Sequence, residues 1–256
     1  ANYHLIGKDI LTTHSVYWPT MLMAMGIPLP KTIFAHGWWL SGETKMSKSL
    51  SNVINPLELI DKYGVDSLRY FLMKEMVLGK DSTFTIDLFI ERYNSDLAND
   101  YGNLVNRVTI LIHKHFNSII PQPGNFNETD LELIGFAKTT PQLVKNDIEE
   151  LKIPDGIEKI IVLMRKINKY LEVKSPWKSI KLDSNQKSDS ATTMYIAADL
   201  LRICTQLLNP VMPERTNAIL KMLGAKKLLM NNYSTGLLKS GESLGQGKSP
   251  FPRIII

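Results

Sequence analysis

Apolar positions along this chain change period near residue 85, and the elements they predict change with it. Tyr3 to Ile6 is a short apolar run ending at Gly7, the pattern of a buried strand. A helix follows to about Met25, with Asp9 or Thr12 as its cap, and Gly26-Ile27-Pro28 stops it. Thr32 to Leu40 reads as the next strand, in which adjacent Trp38 and Trp39 face opposite sides. Strand, helix, strand is one βαβ unit, too little to cover both faces of an open sheet, so the spacing predicts half of a doubly wound domain whose other half lies elsewhere. Asn55 then caps a short helix that opens on Pro56 and ends at Gly64, and Asp66 caps a second through about Met76. From Thr85 the period is helical. Phe89, Tyr93, Leu97, Leu104, Val108, Leu111 and Ile112 recur at helical spacing up to the Pro121-Gln122-Pro123-Gly124 break. Further helices are predicted at about 130–151, where Pro141 kinks or splits the element, and at 156–173, 190–208 and 213–223, the last stopped by Gly224. The pattern therefore predicts an antiparallel helix bundle over 85–224 and a polar connecting tail over 225–256, with a short extended segment at Phe251-Pro252-Arg253-Ile254.

Composition narrows this picture without redirecting it. A chain of 256 residues that is 44% hydrophobic and 21% charged has enough apolar material for two domains and two cores, which excludes a disordered protein. A formal charge of +5 mildly favours an anionic partner and by itself decides nothing. Cys204 is the single cysteine and lies in an apolar helical pattern, so the chain has no intrachain disulfide and no cysteine-rich zinc site, as expected for a reducing compartment. With no run of about 18 apolar residues and no amino-terminal signal pattern, neither membrane insertion nor secretion has support. The chain enters a strand almost at once after Ala1, as though the beginning of a domain lay upstream.

The sharpest chemistry lies in Lys45-Met46-Ser47-Lys48-Ser49, between Ser41-Gly42-Glu43-Thr44 and the helix opening at Asn55-Pro56. Two lysines three apart, with serine hydroxyls and small residues around them, make a cationic loop suited to polyphosphate. The same residues also suit an ordinary solvated loop. Gly7, ending a strand before a helix, is placed like a phosphate or ribose site of an open α/β sheet, and Asp9 fits a helix cap equally well. Asn103 and Arg107 stand one turn apart, about 6 Å along a helix axis, and can present donors from one face; helical Asn and Arg also commonly just face water. Trp177, after Pro176 at a corner, offers an indole either for stacking or for closing a core edge.

Taken together, His4-Leu5-Ile6-Gly7-Lys8-Asp9-Ile10, His14 with Tyr17-Trp18-Pro19, His36-Gly37-Trp38-Trp39, the lysine loop, and the run from Tyr63-Gly64-Val65-Asp66 to Tyr70 resemble the methionyl-tRNA synthetases, class I aminoacyl-tRNA synthetases. Asp100-Tyr101-Gly102-Asn103-Leu104-Val105-Asn106-Arg107, Ser175-Pro176-Trp177 and Phe251-Pro252-Arg253-Ile254 extend the likeness over essentially the whole chain, as the carboxyl-terminal half of a bacterial or organellar type. The resemblance implies an α/β plus all-α fold. Residues 1–54 would be the second half of a Rossmann-like catalytic domain, 55–84 connecting helices, 85–224 an antiparallel anticodon-binding bundle and 225–256 a tail. It implies ATP-dependent ligation of methionine to its tRNA through methionyl-adenylate, with ATP and Mg2+ as cofactors and no metal site in this chain. The implied partners are methionine, tRNA(Met) and the missing amino-terminal half, in the cytoplasm or an organellar matrix and away from membranes.

By the same resemblance, Lys48 and Lys45 are the catalytic cations on pyrophosphate, and Gly7, Asp9, Lys45, Ser47 and Lys48 bind ATP or the adenylate. Ile10 and His14 line the methionine pocket, and Asn103, Arg107 and Trp177 read the anticodon. The chain departs from the family in lacking the His-Ile-Gly-His type nucleotide motif, the zinc knuckle and much of the methionine pocket, and in carrying Ser51 where glycine is frequent. Alone it should therefore be inactive. Another class I synthetase, or a non-catalytic tRNA-binding module, is the competing reading.

Overall fold

The first apolar run forms β1 (Tyr3–Gly7), which pairs in parallel with β2 (Thr32–His36) from Tyr3 opposite Thr32 to Gly7 opposite His36. This computed structural model describes residues 1–42, 44–46, 54–179, 184–225, 232–247 and 249–255, without the side chains of 45, 179 and 184–187. The crossover between the strands is three successive helical forms in place of the one predicted helix: a 3-10 turn (Lys8–Ile10), a π stretch (Thr13–Tyr17) and α1 (Trp18–Ala24). Neither Asp9 nor Thr12 caps it. Thr12 has helical φ −58° and ψ −42°, whereas a capping residue needs extended backbone to turn its side chain onto the first free N–H groups.

The strand predicted from Thr32 to Leu40 breaks at Gly37, where the Lys80 backbone comes so close that a Cβ would overlap its carbonyl. Beyond the break, β3 (Trp39–Ser41) belongs to a second sheet, antiparallel to β4 (Thr44–Lys45) and parallel to β5 (Ser82–Thr83). The two indoles therefore part company through the break and not through strand alternation. Trp38 lies under the Lys8 ammonium, 4.0 Å from its ring centre, while Trp39 packs against Phe71 and Phe84 at 6.1 and 5.8 Å.

In α2 (Pro56–Tyr63), the Asn55 side chain accepts from Leu57 N–H and Gly64, at φ 85°, ends the helix as its sequence demands. In α3 (Val65–Glu75), Asp66 does not cap its own helix. It sits inside the first turn, buried, and accepts from the backbone N–H of Arg215 at 2.6 Å. Leu59, Leu68, Phe71, Phe84, Phe89 and Ile90 form a small core here, with Trp39 and Met46 packed against it.

The larger core belongs to the helical body. Thr85 caps α4 (Ile86–Arg92), which runs through a π stretch (Tyr93–Gly102) into α5 (Asn103–His115). The predicted apolar recurrence is buried at Phe89, Tyr93, Leu97, Leu104, Val108 and Ile112. A capping box between Asn127 and Asp130 starts α6 (Glu128–Glu149), followed by α7 (Ile153–Lys174), α8 (Pro176–Ser179), α9 (Ser184–Leu208) and α10 (Pro213–Met222). Pro141 neither splits nor ends α6. Its missing backbone bond and ring clash cost about 3 kcal/mol, and buried Ala137, Thr140 and Val144 on the flanking turns offset this, a buried aliphatic side chain contributing about 2 kcal/mol.

The tail is no polar connector. Leu238, Leu244 and Phe251 are buried in the larger core, and Ile254 packs against both cores. Buried Arg202 donates to Ser234 O at 2.6 Å and pairs with Asp199, whose carboxylate accepts from Gly236 and Leu238 N–H. A polar composition concealed a few apolar residues spaced to fill gaps between helices. Among the described residues no helix is long and apolar enough to cross a membrane.

Candidate functional site

The carboxyl end of β1 leads into the helical crossover, and four of the residues singled out in the sequence run from that end into the π stretch. A Cβ on Gly7 would stand 2.5 Å from Asp9 Oδ1, so the carboxylate folds back over the glycine while remaining exposed. Ile10 is exposed, and its carbonyl lies 3.0 Å from His14 Nδ1. The His14 ring stands 6.3 Å from that of His4 on β1. Gly7, Asp9, Ile10 and His14 thus share one rim of the parallel pair, with an open carboxylate at its edge.

Lys8, on the same segment, is engaged elsewhere. Its Nζ donates to both oxygens of Asp81 at 2.6 and 2.8 Å, and the Trp38 N–H donates to the same carboxylate. The hydrogen bond from Lys8, helped by that of Trp38, holds the Asp81 carboxyl below the usual carboxylate range. Both side chains are about a third exposed, at 37% and 33%, so the pair adds little stability; it tethers the rim to the segment leading into β5.

The lysine loop is anchored at its amino-terminal end. Lys45 pairs through its backbone with Leu40, and Met46 packs on the small core. The Lys45 side chain, Ser47, Lys48 and Ser51 lie outside the described residues.

A second cluster forms where α5 meets α7 and α8. Ser175 closes α7 in the left-handed conformation, φ 43°, and turns the chain so that Pro176 is buried and Trp177 half-buried. The Arg107 guanidinium stands 5.6 Å from the Trp177 ring centre. One turn before it, Asn103 opens α5 with an exposed side chain, as the one-turn spacing requires. Trp177, distant in sequence, therefore shares one surface with Asn103 and Arg107. Sequence reasoning missed the groups that surround Arg107: Asn168 Oδ1 at 3.3 Å and Glu172 Oε1 at 3.4 Å, both on α7. Asn168 and Lys169 are the polar pair between buried Ile167 and Tyr170, and no local signal ties Asn168 to a residue 61 positions away.

Residues 1–109 match the family model described as tRNA synthetases class I (M), and residues 120–250 match the anticodon binding domain of methionyl tRNA ligase. The chain is similar to a methionine–tRNA ligase of Caldanaerobacter subterraneus, 40% identical over 99% of this chain and 40% of the relative. A methionine–tRNA ligase of Clostridium tetani is 41% identical over 99% of this chain and 40% of its own length. Among solved structures, the Mycobacterium tuberculosis methionyl-tRNA synthetase in complex with methionyl-adenylate superposes with a TM-score of 0.94 at 36% identity, covering 99% of this chain and 50% of that one. The chain thus spans less than half the length of those curated relatives. On both matched segments, this chain belongs to the methionyl-tRNA synthetase family of class I aminoacyl-tRNA synthetases.

Proposed function

We propose that the complete protein ligates methionine to tRNA(Met) through methionyl-adenylate, and that this chain supplies part of the catalytic domain and the whole anticodon-reading surface. Residues 1–54 would be the second half of a Rossmann-like domain, 55–84 the connecting helices, 85–224 an antiparallel bundle and 225–256 a tail docked upon it. The observation that carries this reading is Arg107 seated over Trp177 one turn from Asn103. An indole face and a fan of fixed donors on one surface suit unpaired bases, which expose both their π-faces and their Watson–Crick edges.

For the chemical step, the methionine carboxylate attacks the α-phosphorus of ATP and pyrophosphate leaves. Catalysis then consists of positioning the reactants and stabilising the charge that moves onto pyrophosphate. Lys48, with Lys45, would meet that charge, with Ser47 adding a donor. Gly7 would let the adenylate approach the backbone, Asp9 would accept from the ribose hydroxyls, and Ile10 with His14 would border the methionine side chain. The exposed Asp9 carboxylate over Gly7 supports the ribose role, since it is free to accept. Among the described residues no three His, Cys, Asp or Glu side chains converge on one position for a metal. Mg2+ would arrive as the counter-ion of the ATP phosphates.

The test is amino-acid-dependent ATP–pyrophosphate exchange by the complete protein, followed by charging of tRNA(Met) with an intact or an altered anticodon. Methionine alone should drive exchange, and altering the CAU anticodon should cut charging. Exchange driven by another amino acid would point to a different class I synthetase, and tRNA binding without exchange to a non-catalytic module.

A further inference from the structure

Arg107 is a long side chain with many rotamers, yet its guanidinium is held from behind. Of its two acceptors on α7, the Glu172 carboxylate is 67% exposed, so solvent screens its pull. Asn168 is half-buried and itself fixed: its Nδ2 donates to the backbone carbonyl of Asp100 at 3.0 Å. The Asp100 side chain is in turn pinned by Arg165 Nε at 2.6 Å. These two bonds leave the Asn168 amide one orientation. Flipped, it would set its NH2 against the guanidinium and its oxygen against a carbonyl, replacing two attractions with two repulsions.

We propose that Asn168 is a positioning residue for anticodon recognition: held by the Asp100 carbonyl, its Oδ1 fixes the plane of the Arg107 guanidinium above Trp177. This rests on the assignment of Asn103, Arg107 and Trp177 to the anticodon. A guanidinium is a rigid fork of donors, and its direction decides which base edge it matches, whereas its charge attracts any phosphate equally. Fixing the fork before RNA arrives also removes an ordering cost from binding. Asn168 therefore governs the preference for CAU over other anticodons more than overall attraction to RNA.

The experiment measures, in the complete protein, affinity for an anticodon stem–loop carrying CAU and for one with an altered anticodon, across a range of salt. Asn168→Ala is expected to lower CAU affinity about five- to thirtyfold, with little change for the altered loop or in the salt slope. In an Arg107→Ala background the same substitution should cost nothing further, because Asn168 acts through Arg107. Asn168→Asp keeps an acceptor toward Arg107 but sets an oxygen against the Asp100 carbonyl, so it should fall well short of the parent's CAU preference. If Asn168→Ala does not fold, Asn168→Ser, too short to reach the guanidinium, takes its place in the same cycle.

An unchanged CAU preference in Asn168→Ala, an equal loss with and without Arg107, or full parental preference in Asn168→Asp overturns the inference. When Arg107→Ala alone lowers CAU preference and Asn168→Ala does not, only the role of Asn168 fails. An Arg107→Ala protein with undiminished CAU preference removes the anticodon assignment and this inference together.

Discussion

Trp177 is half-buried, so its indole has a packed side and an open one, and truncation reads out whichever matters more. If a base stacks on it, Trp177→Ala should cost roughly 1 to 3 kcal/mol of tRNA binding, about five- to hundredfold in affinity, with methionyl-adenylate formation intact. An indole that only closes the core would lower Tm and weaken every tRNA alike. Melting, adenylate formation and charging of intact against altered anticodons separate the two. Lys48→Ala makes the complementary case at the other end of the chain. A loop cation that meets pyrophosphate acts in the transition state, so adenylate formation should fall by about 3 kcal/mol, or about a hundredfold, while equilibrium methionine binding barely moves. Single-turnover formation of the adenylate measured beside methionine binding checks this, and lost affinity with a normal rate would reject the role.

Asp66 ties two elements that the sequence holds far apart. From α3 it accepts the N–H of Arg215 in the first turn of α10, while Arg69, also on α3, donates to the carbonyls of Pro210 and Val211 just before that helix. Asp66 Oδ1 has no hydrogen-bond partner among the described residues. Removing the cap with Asp66→Ala should therefore cost about 1 to 2 kcal/mol, whereas Asp66→Asn, which keeps an acceptor for Arg215, should stay within about 1 kcal/mol of the parent. Urea titration of the three proteins decides it. Legibility followed the same division between local and distant partners. Asn55, Gly64 and Thr85 act on neighbours within a few residues, so the patterns around them named the right helix ends. Asp66 was read as a cap and is one, but of a helix about 150 residues on, because acceptor geometry is local and the identity of the donor is not. Gly37 broke a predicted strand for the same reason, through the backbone of Lys80. The surface at Asn103 and Arg107 was readable from helical spacing, and Trp177 from its motif, while Asn168 and Glu172 required the packing of α5 on α7.

The molecule as a whole is unevenly finished. Tyr3, Leu5, Val16, Tyr17, Met21, Met23 and Met25, all on the β1–α1 unit, are each more than half exposed, whereas the helical body keeps its large core closed. An exposed apolar patch of this size ordinarily marks a surface that packs against something else. The 256-residue chain on its own is therefore expected to show strong helical circular dichroism and one cooperative melt from the helical body, with no methionine-dependent pyrophosphate exchange. Hydrogen exchange should find residues 1–29 weakly protected until the remaining part of a full-length relative is supplied. Robust exchange activity from the chain alone would contradict this account of the patch.

The docked tail matters for the order in which the molecule is made. Tyr93 O–H donates to Pro252 O, Asn94 exchanges two hydrogen bonds with Ile254, and Arg215 bonds Pro250 O while its guanidinium lies over Phe251. Asn94 and Ile254 are 160 residues apart. At ordinary rates of translation, about 5 to 20 residues per second, the π stretch leaves the ribosome roughly ten to thirty seconds before the segment that seals it. During that interval the seat of Phe251, beside Tyr93 and Tyr101, lies bare on a nascent chain. Closing the helical body is then among the last steps of folding, because that seat fills only when Phe251 arrives.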